Sequence, residues 1–359
     1  MMKRDMIVRG CLGLWGCWLL ATAASAASAE VTSPPAAVTA PGPTLAAVLK
    51  AGVLHCGVLI APEDWNKEDL HGDLSALHLE LCKAVSVAAL GDKAKLVVTP
   101  YASELEAEQG LSRGEVDVAM GVTPTASATW AWQIGFGPPE FLDALTLLVH
   151  AEVPGTTLKD LAGRKVCVIE GTSNERLLQS LAATGQAAIK VADWQEEGEM
   201  DDAMSTHWCD AVAAYTSRLV PLRNQYTSLT RARLLDQPIA VTPVAPAYRL
   251  SDPQWGSLVT ATITALVTAE SLGLDHASVT AQAKSGDPRI QHLVGTDWSV
   301  ARALGLMPRK DWAAQVVAVV GNYGEVFART IGDGSAARMP RGVNALWTQG
   351  GLMFPGPLQ

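Results

Sequence analysis

Apolar strands alternate with helices in two separate blocks of this sequence, and that alternation constrains the fold more than any other feature. Strands and helices in this order demand a sheet with helices packed on its faces. The first block opens with a short amphipathic helix from Leu45 and the apolar strand VLHCGVLI, ending at Ile60. A polar, acidic loop follows, APEDWNKEDLHGDL. Residues 76–90 then place Leu77, Leu81, Ala84, Val85 and Ala88 at helical spacing, and the strand KLVVTPY comes next. A helix over 103–112 leads through Arg113, Gly114 and Glu115 into VDVAMGV. The second block starts near residues 153–161, where DLAGRKVCVIEGTS reads as turn, strand and a helix opening at Thr172 and Ser173. It continues with IKVADW, an acidic helix over 196–204 and CDAVAAY. After Pro238 come the strand IAVTPVAPAYR, a long helix over 254–272 and a mostly helical tail to Leu358. The simplest topology leaves a first lobe, builds a second and returns. The expected divisions are 45–150 for the first part of lobe one, 151–240 for lobe two, and 241–359 for the return and a helical C-terminal extension.

The N-terminus predicts export. Lys3, Arg4 and Arg9 precede an apolar run from Gly10 to Ala21 and a small-residue stretch ending at Ala29, the pattern of a cleavable signal peptide over 1–29. Its apolar run is too short to span a bilayer, and no other stretch reaches the roughly 18–20 uncharged apolar residues that a span needs. Cys17 is not read as a lipid-attachment site, because Trp15 stands two residues before it where a small residue is expected. Residues 30–44 include VTSPPAAVTAPGP, a Pro- and Ala-rich linker without charge or periodicity. The formal charge of the chain is −9, and the signal removes Lys3, Arg4 and Arg9 against Asp5, so the remainder is more acidic still. That balance excludes nucleic acid as an expected partner.

Four of the six cysteines lie beyond the signal: Cys56, Cys82, Cys167 and Cys209. An even number in an exported chain predicts two disulfides, and spacing leaves all three connectivities open. No CxxC pair, phosphate loop, Ser/His/Asp or Cys/His constellation stands out, so no catalytic residue, metal or cofactor is assigned. His71, Asp73, His78 and Glu80 form a cluster of ligand-type residues whose spacing matches no strong metal motif.

The tail segments KDWAAQVVAVVGNYGEVFART (310–330) and RGVNALWTQGGLMFPGP (341–357) closely resemble the ending of periplasmic general L-amino-acid-binding proteins of polar amino-acid ABC transporters, in solute-binding protein family 3. LCKAV (81–85), GEVDV (114–118), LAGRKVCVIEGTS (161–173), CDAVAAY (209–215) and WGSLVTATITALVTAESLG (255–273) extend the resemblance over about residues 45–358. The resemblance implies a type II, two-lobed α/β periplasmic-binding fold that closes on a ligand, with Cys56 paired to Cys82 and Cys167 to Cys209. It also implies a periplasmic monomer that hands a small solute, an amino acid or a related compound, to an inner-membrane ABC permease and catalyses nothing.

An amino acid needs a cation for its carboxylate and an anion for its ammonium, because a buried unpaired charge costs several kcal/mol. The family's Arg position falls on Thr129 and its Asp position on Tyr215, while His78 stands where an acidic residue is usual. The expected ligand-binding set is therefore Trp65, Thr123, Thr125, Thr129, Glu170, Thr172, Ser173 and Tyr215. Thr172 and Ser173 open a helix whose free N–H groups favour an anion or polar oxygen. Trp65 matches an aromatic wall, Trp130 and Trp132 are read chiefly as packing, and Arg218 as part of a solvated face. The loss of the charge pair also raises a second reading, a degenerate binding protein acting as a periplasmic accessory without amino-acid binding.

Overall fold

The computed structural model describes residues 40–60, 73–226, 231–295 and 299–358. The signal, Cys17, most of the linker, Trp65 and His71 lie outside the described residues. Within them, helix α1 (Pro43–Ala51) leads into strand β1 (Leu54–Leu59), helix α2 (Leu74–Leu90), β2 (Leu96–Tyr101), α3 (Glu104–Arg113), β3 (Val118–Val122), α4 (Ala126–Trp132) and β4 (Ile134–Phe136). Strand β5 (Phe141–His150) carries the chain into the second half, built from β6 (Lys165–Ile169), α5 (Ser173–Ala183), β7 (Lys190–Trp194), α6 (Glu197–Ser205), β8 (Ala211–Tyr215), α7 (Thr216–Gln225) and β9 (Ala232–Leu234). The return strand β10 (Ala240–Arg249) precedes α8 (Pro253–Ser271), α9 (Pro288–Leu293), α10 (Ser299–Ala303), α11 (Trp312–Val320) and α12 (Tyr323–Thr330).

The strand order is β2-β1-β3-β10-β5-β8-β6-β7, with β4 on β10 and β9 on β5. Strand β10 joins the halves: Ala240–Val244 pairs antiparallel with β5, and Ala245 and Ala247 pair with β3. Strand β5 bonds to β10 over 141–145, to β8 over 145–149 and to β9 over 148–150. Two strands thus cross between the halves, and the crevice must lie where they cross. The two-lobed α/β expectation is met.

Local chemistry sets the helix ends. Asp73, Ser103 and Thr172 accept bonds from the first-turn backbone of α2, α3 and α5, supplying orphan helix donors with partners. Gly114 closes α3 at φ 78°, a left-handed position that glycine takes without steric cost. Helix α2 and the turn that extends it to Lys93 are apolar and long enough to cross a membrane by length and composition alone, yet most of that segment is buried inside the protein. Leu77, Leu81, Cys82, Val85 and Ala88 fill the core with Trp255 and Leu266 of α8, Val317 of α11 and Phe327 of α12. Cys56–Cys82 ties β1 to α2, and Cys167–Cys209 ties β6 to the start of β8, so each bridge stays within one half as the family resemblance implied.

Candidate functional site

The carboxyl ends of β1, β3 and β8 and the opening of α5 after β6 surround a cavity of about 510 Å³. Leu59, Asp73, Leu74, Ser75, His78, Glu104, Gly121 and Thr123 line it from the first half, and Ser173 and Tyr215 from the second. Asp143, Thr242 and Val244 come from the two crossing strands. Parallel strands deliver their following loops and helix openings to one edge, which is where open α/β sheets take ligands.

The charges on these walls have one sign. No Lys or Arg is among the described lining residues, whereas Asp73, Glu104 and Asp143 are. Each carboxylate already holds the neighbouring donors. Asp73 accepts from the Ser75 N–H and hydroxyl, both at 2.8 Å. Glu104 accepts from the Thr123 hydroxyl at 2.8 Å and its N–H at 3.2 Å. Asp143 accepts from the Ser217 N–H at 3.1 Å and hydroxyl at 2.5 Å. Burial pushes the Asp143 carboxyl above its ordinary range, and the Ser217 bonds oppose that shift. Tyr215 and Thr242 share a hydroxyl bond at 2.9 Å. A carboxylate has room for about four donors. These walls have consumed donors and kept acceptors.

The opening of α5 follows the same pattern. Thr172 accepts from the Glu175 N–H at 3.2 Å while the Glu175 carboxylate accepts from the Gly171 N–H at 2.7 Å. The helix therefore brings its own anion to the turn where the sequence suggested an incoming one.

Beneath the cavity His78 and Glu140 are both buried, with Nε2 and Oε1 3.5 Å apart. The spacing is that of an ion pair, but burial drives the groups to opposite neutral forms, Glu140 up to about 8 and His78 down to about 3. At neutral pH the pair is chiefly an uncharged acid beside an uncharged imidazole. The Gly121 N–H bonds Glu140 at 2.6 Å and the Tyr323 hydroxyl bonds its carbonyl at 2.8 Å, fixing the carboxyl under the floor. Gly121, at φ 88°, leaves the space: a Cβ there would stand 2.7 Å from the His78 ring.

Of the sequence candidates, Thr123, Ser173 and Tyr215 line the cavity, and Thr172 caps the helix beside it. Thr125 caps α4 and Thr129 lies within that helix, and neither is among the lining residues. Glu170 is exposed and also off the walls. Trp130 is 82% exposed, and Trp132 packs with Leu111, Val122 and Ile134. Arg218 is no solvated cation: it is 24% exposed and grips both oxygens of Asp201 at 2.7 Å, with Glu197 at 3.0 Å. Glu104 and Asp143 were not singled out from the sequence, and Asp73 stood out only in the set around His71, yet all three line the cavity. Asp143 left a trace in the sequence as the lone charge in the apolar stretch FLDALTLLVH. In the set of ligand-type residues around His71, Asp73 and His78 face the cavity, but Glu80 pairs with Arg329 at 2.5 Å.

No family model matches the chain. It is 32% identical over 347 residues to the general L-amino acid-binding periplasmic protein AapJ of Rhizobium johnstonii, covering 96% of this chain and 97% of that one. It is 30% identical over 318 residues to the glutamate/glutamine/aspartate/asparagine-binding protein BztA of Rhodobacter capsulatus, covering 88% and 93%. The solved structure of an ABC-transporter periplasmic binding protein from Brucella ovis with glutathione bound superposes with a TM-score of 0.68 at 28% identity, covering 88% of this chain and 99% of that one. With its strand order, its crevice between two halves and its full-length likeness to these relatives, the chain belongs to the periplasmic amino-acid-binding proteins of ABC transporters, solute-binding protein family 3.

Proposed function

We propose that this protein is the periplasmic receptor of an amino-acid-type ABC importer whose cleft holds its solute chiefly through an amine. The observation that carries the reading is the one-signed wall: Asp73, Glu104 and Asp143 face the cavity, and no described lining residue is a cation. A ligand ammonium satisfies carboxylate lone pairs that neutral donors have only partly filled, whereas a ligand carboxylate meets repulsion without a guanidinium to offset it. Ordinary L-amino acids then bind weakly, with Kd no lower than about 100 μM, equivalent to roughly −5.5 kcal/mol. The likeness over 88% of this chain to an ABC-transporter periplasmic binding protein supports import over the accessory role. Under this reading the leader over 1–29 is cleaved on export and the mature monomer delivers its solute to the permease without a catalytic step.

A matched trio tests the ligand class: an L-amino acid, the amine left when its carboxylate is removed, and the acid left when its amine is removed. In a thermal-shift series the amine is expected to stabilise most and the acid least. A ligand at 100 times its Kd adds about 2.7 kcal/mol. The reverse order, with the acid strongest, contradicts the reading.

A further inference from the structure

We propose that His150, Glu152 and His207 form a binding site for a borderline divalent transition-metal cation, of the class of Zn²⁺, on the second half of the molecule and apart from the cleft. One ligand atom from each residue lies within 4.8 Å of the others. Two imidazole nitrogens and one carboxylate oxygen are a donor set that suits such ions, with water completing the shell.

The fold assembles this trio from distant segments. His150 is the last residue of β5, and Glu152 follows in the turn where the Val153 N–H bonds the His150 carbonyl at 3.0 Å. His207 sits in the turn after α6, in the left-handed region at φ 61°, a conformation uncommon for a residue with a Cβ. Two residues on, Cys209 is bridged to Cys167, which anchors that turn to β6. The result stacks the His150 and His207 rings 3.9 Å apart and 7° from parallel, with Glu152 3.3 Å from His207 Nε2.

The second, independent observation is the state of His150. It is 2% exposed, and neither ring nitrogen makes a hydrogen bond of good geometry, although the backbone of Met204 and Cys209 lies close to them. An imidazole nitrogen without a well-formed hydrogen bond keeps a lone pair that it can give to a metal. An ion about 2.1 Å from each donor needs the His207 ring to tilt out of the stack. His207 and Glu152 are 55% and 66% exposed, so both have room to close on the ion. Bound there, the metal would clasp the end of β5 to the disulfide-anchored turn.

The test is calorimetric titration of Zn²⁺ alone into the full chain, purified without a histidine tag and stripped with chelator. One ion per chain is expected. His207→Ala should weaken uptake at least tenfold. His276→Ala, which removes the separate exposed pair of His276 with Glu325, should leave it unchanged. Absence of uptake overturns the site. So does uptake that survives His207→Ala or disappears in His276→Ala.

Discussion

The two halves of the molecule bury their apolar groups on different scales. Helices α2, α8, α11 and α12 pack with β1 and β3 into one continuous cluster that holds Leu81, Trp255, Val317 and Phe327. In the second half the sheet separates two smaller clusters, one around Val166, Leu178 and Ala213 and the other around Cys167, Met204 and Leu219. Stability grows with the apolar area removed from water, so the first half is the platform and the second depends more on its covalent bridge. The return of the chain after β10 creates this asymmetry by adding the C-terminal helices to the larger cluster.

Cutting the bridges separates the halves most sharply. Chain entropy gives about 4 kcal/mol for the 42-residue separation of Cys167 and Cys209, and slightly less for the 26 residues between Cys56 and Cys82. Cys167→Ser with Cys209→Ser should let β6, β7 and β8 exchange amide hydrogens before the first half does. Equal loss of protection in both halves breaks the comparison.

A smaller effect, roughly 2–4 kcal/mol, is expected from Glu140→Gln in the platform. The folded-state pKa of Glu140 is raised to about 8 from 4.5, so folding holds a proton that the unfolded chain releases. Wild-type stability from this group is present below pH 4.5 and is lost as pH rises to about 8. His78 has the opposite sign, its contribution falling as pH drops from 6.5 toward 3. Urea unfolding should therefore show the advantage of Glu140→Gln over wild type growing between pH 5 and 8. A constant difference across that range would mean that the carboxyl is ionised in the folded protein.

How much of this was legible before the structure follows from what each signal depends on. Helix α2 was readable because Leu77, Leu81, Ala84, Val85 and Ala88 repeat at one period, and β10 because its strand text is continuous. Ser173 and Tyr215 could be placed at the edge of the sheet because they end or follow single strands. The acidic wall was hidden, since Asp73, Glu104 and Asp143 converge only when the two crossing strands bring separate segments together. Thr129 was placed by counting along the chain, and that count does not show that the position falls within α4, off the described cavity walls. The His150 and His207 pair depends on a turn geometry that no sequence period encodes.

Arg218→Ala should cost about 1–2 kcal/mol, because it leaves Asp201 part-buried without its bidentate partner. The loss should appear in the unfolding of the second half, with amine binding unchanged. Weaker amine binding would bring Arg218 into the site. Smallest of all, Trp130→Ala is expected to stay within about 0.5 kcal/mol of wild type in thermal unfolding, as its side chain is largely in solvent.

The most direct measurement is a calorimetric titration of the matched amine and L-amino acid into wild type and Asp143→Asn at one neutral pH. Asp143 lies on a crossing strand and faces the cavity, so it reports on the acidic wall where the halves meet. Wild type is expected to prefer the amine by at least tenfold, and Asp143→Asn to remove most of that preference. Submicromolar binding of the L-amino acid, undiminished in Asp143→Asn, would contradict it.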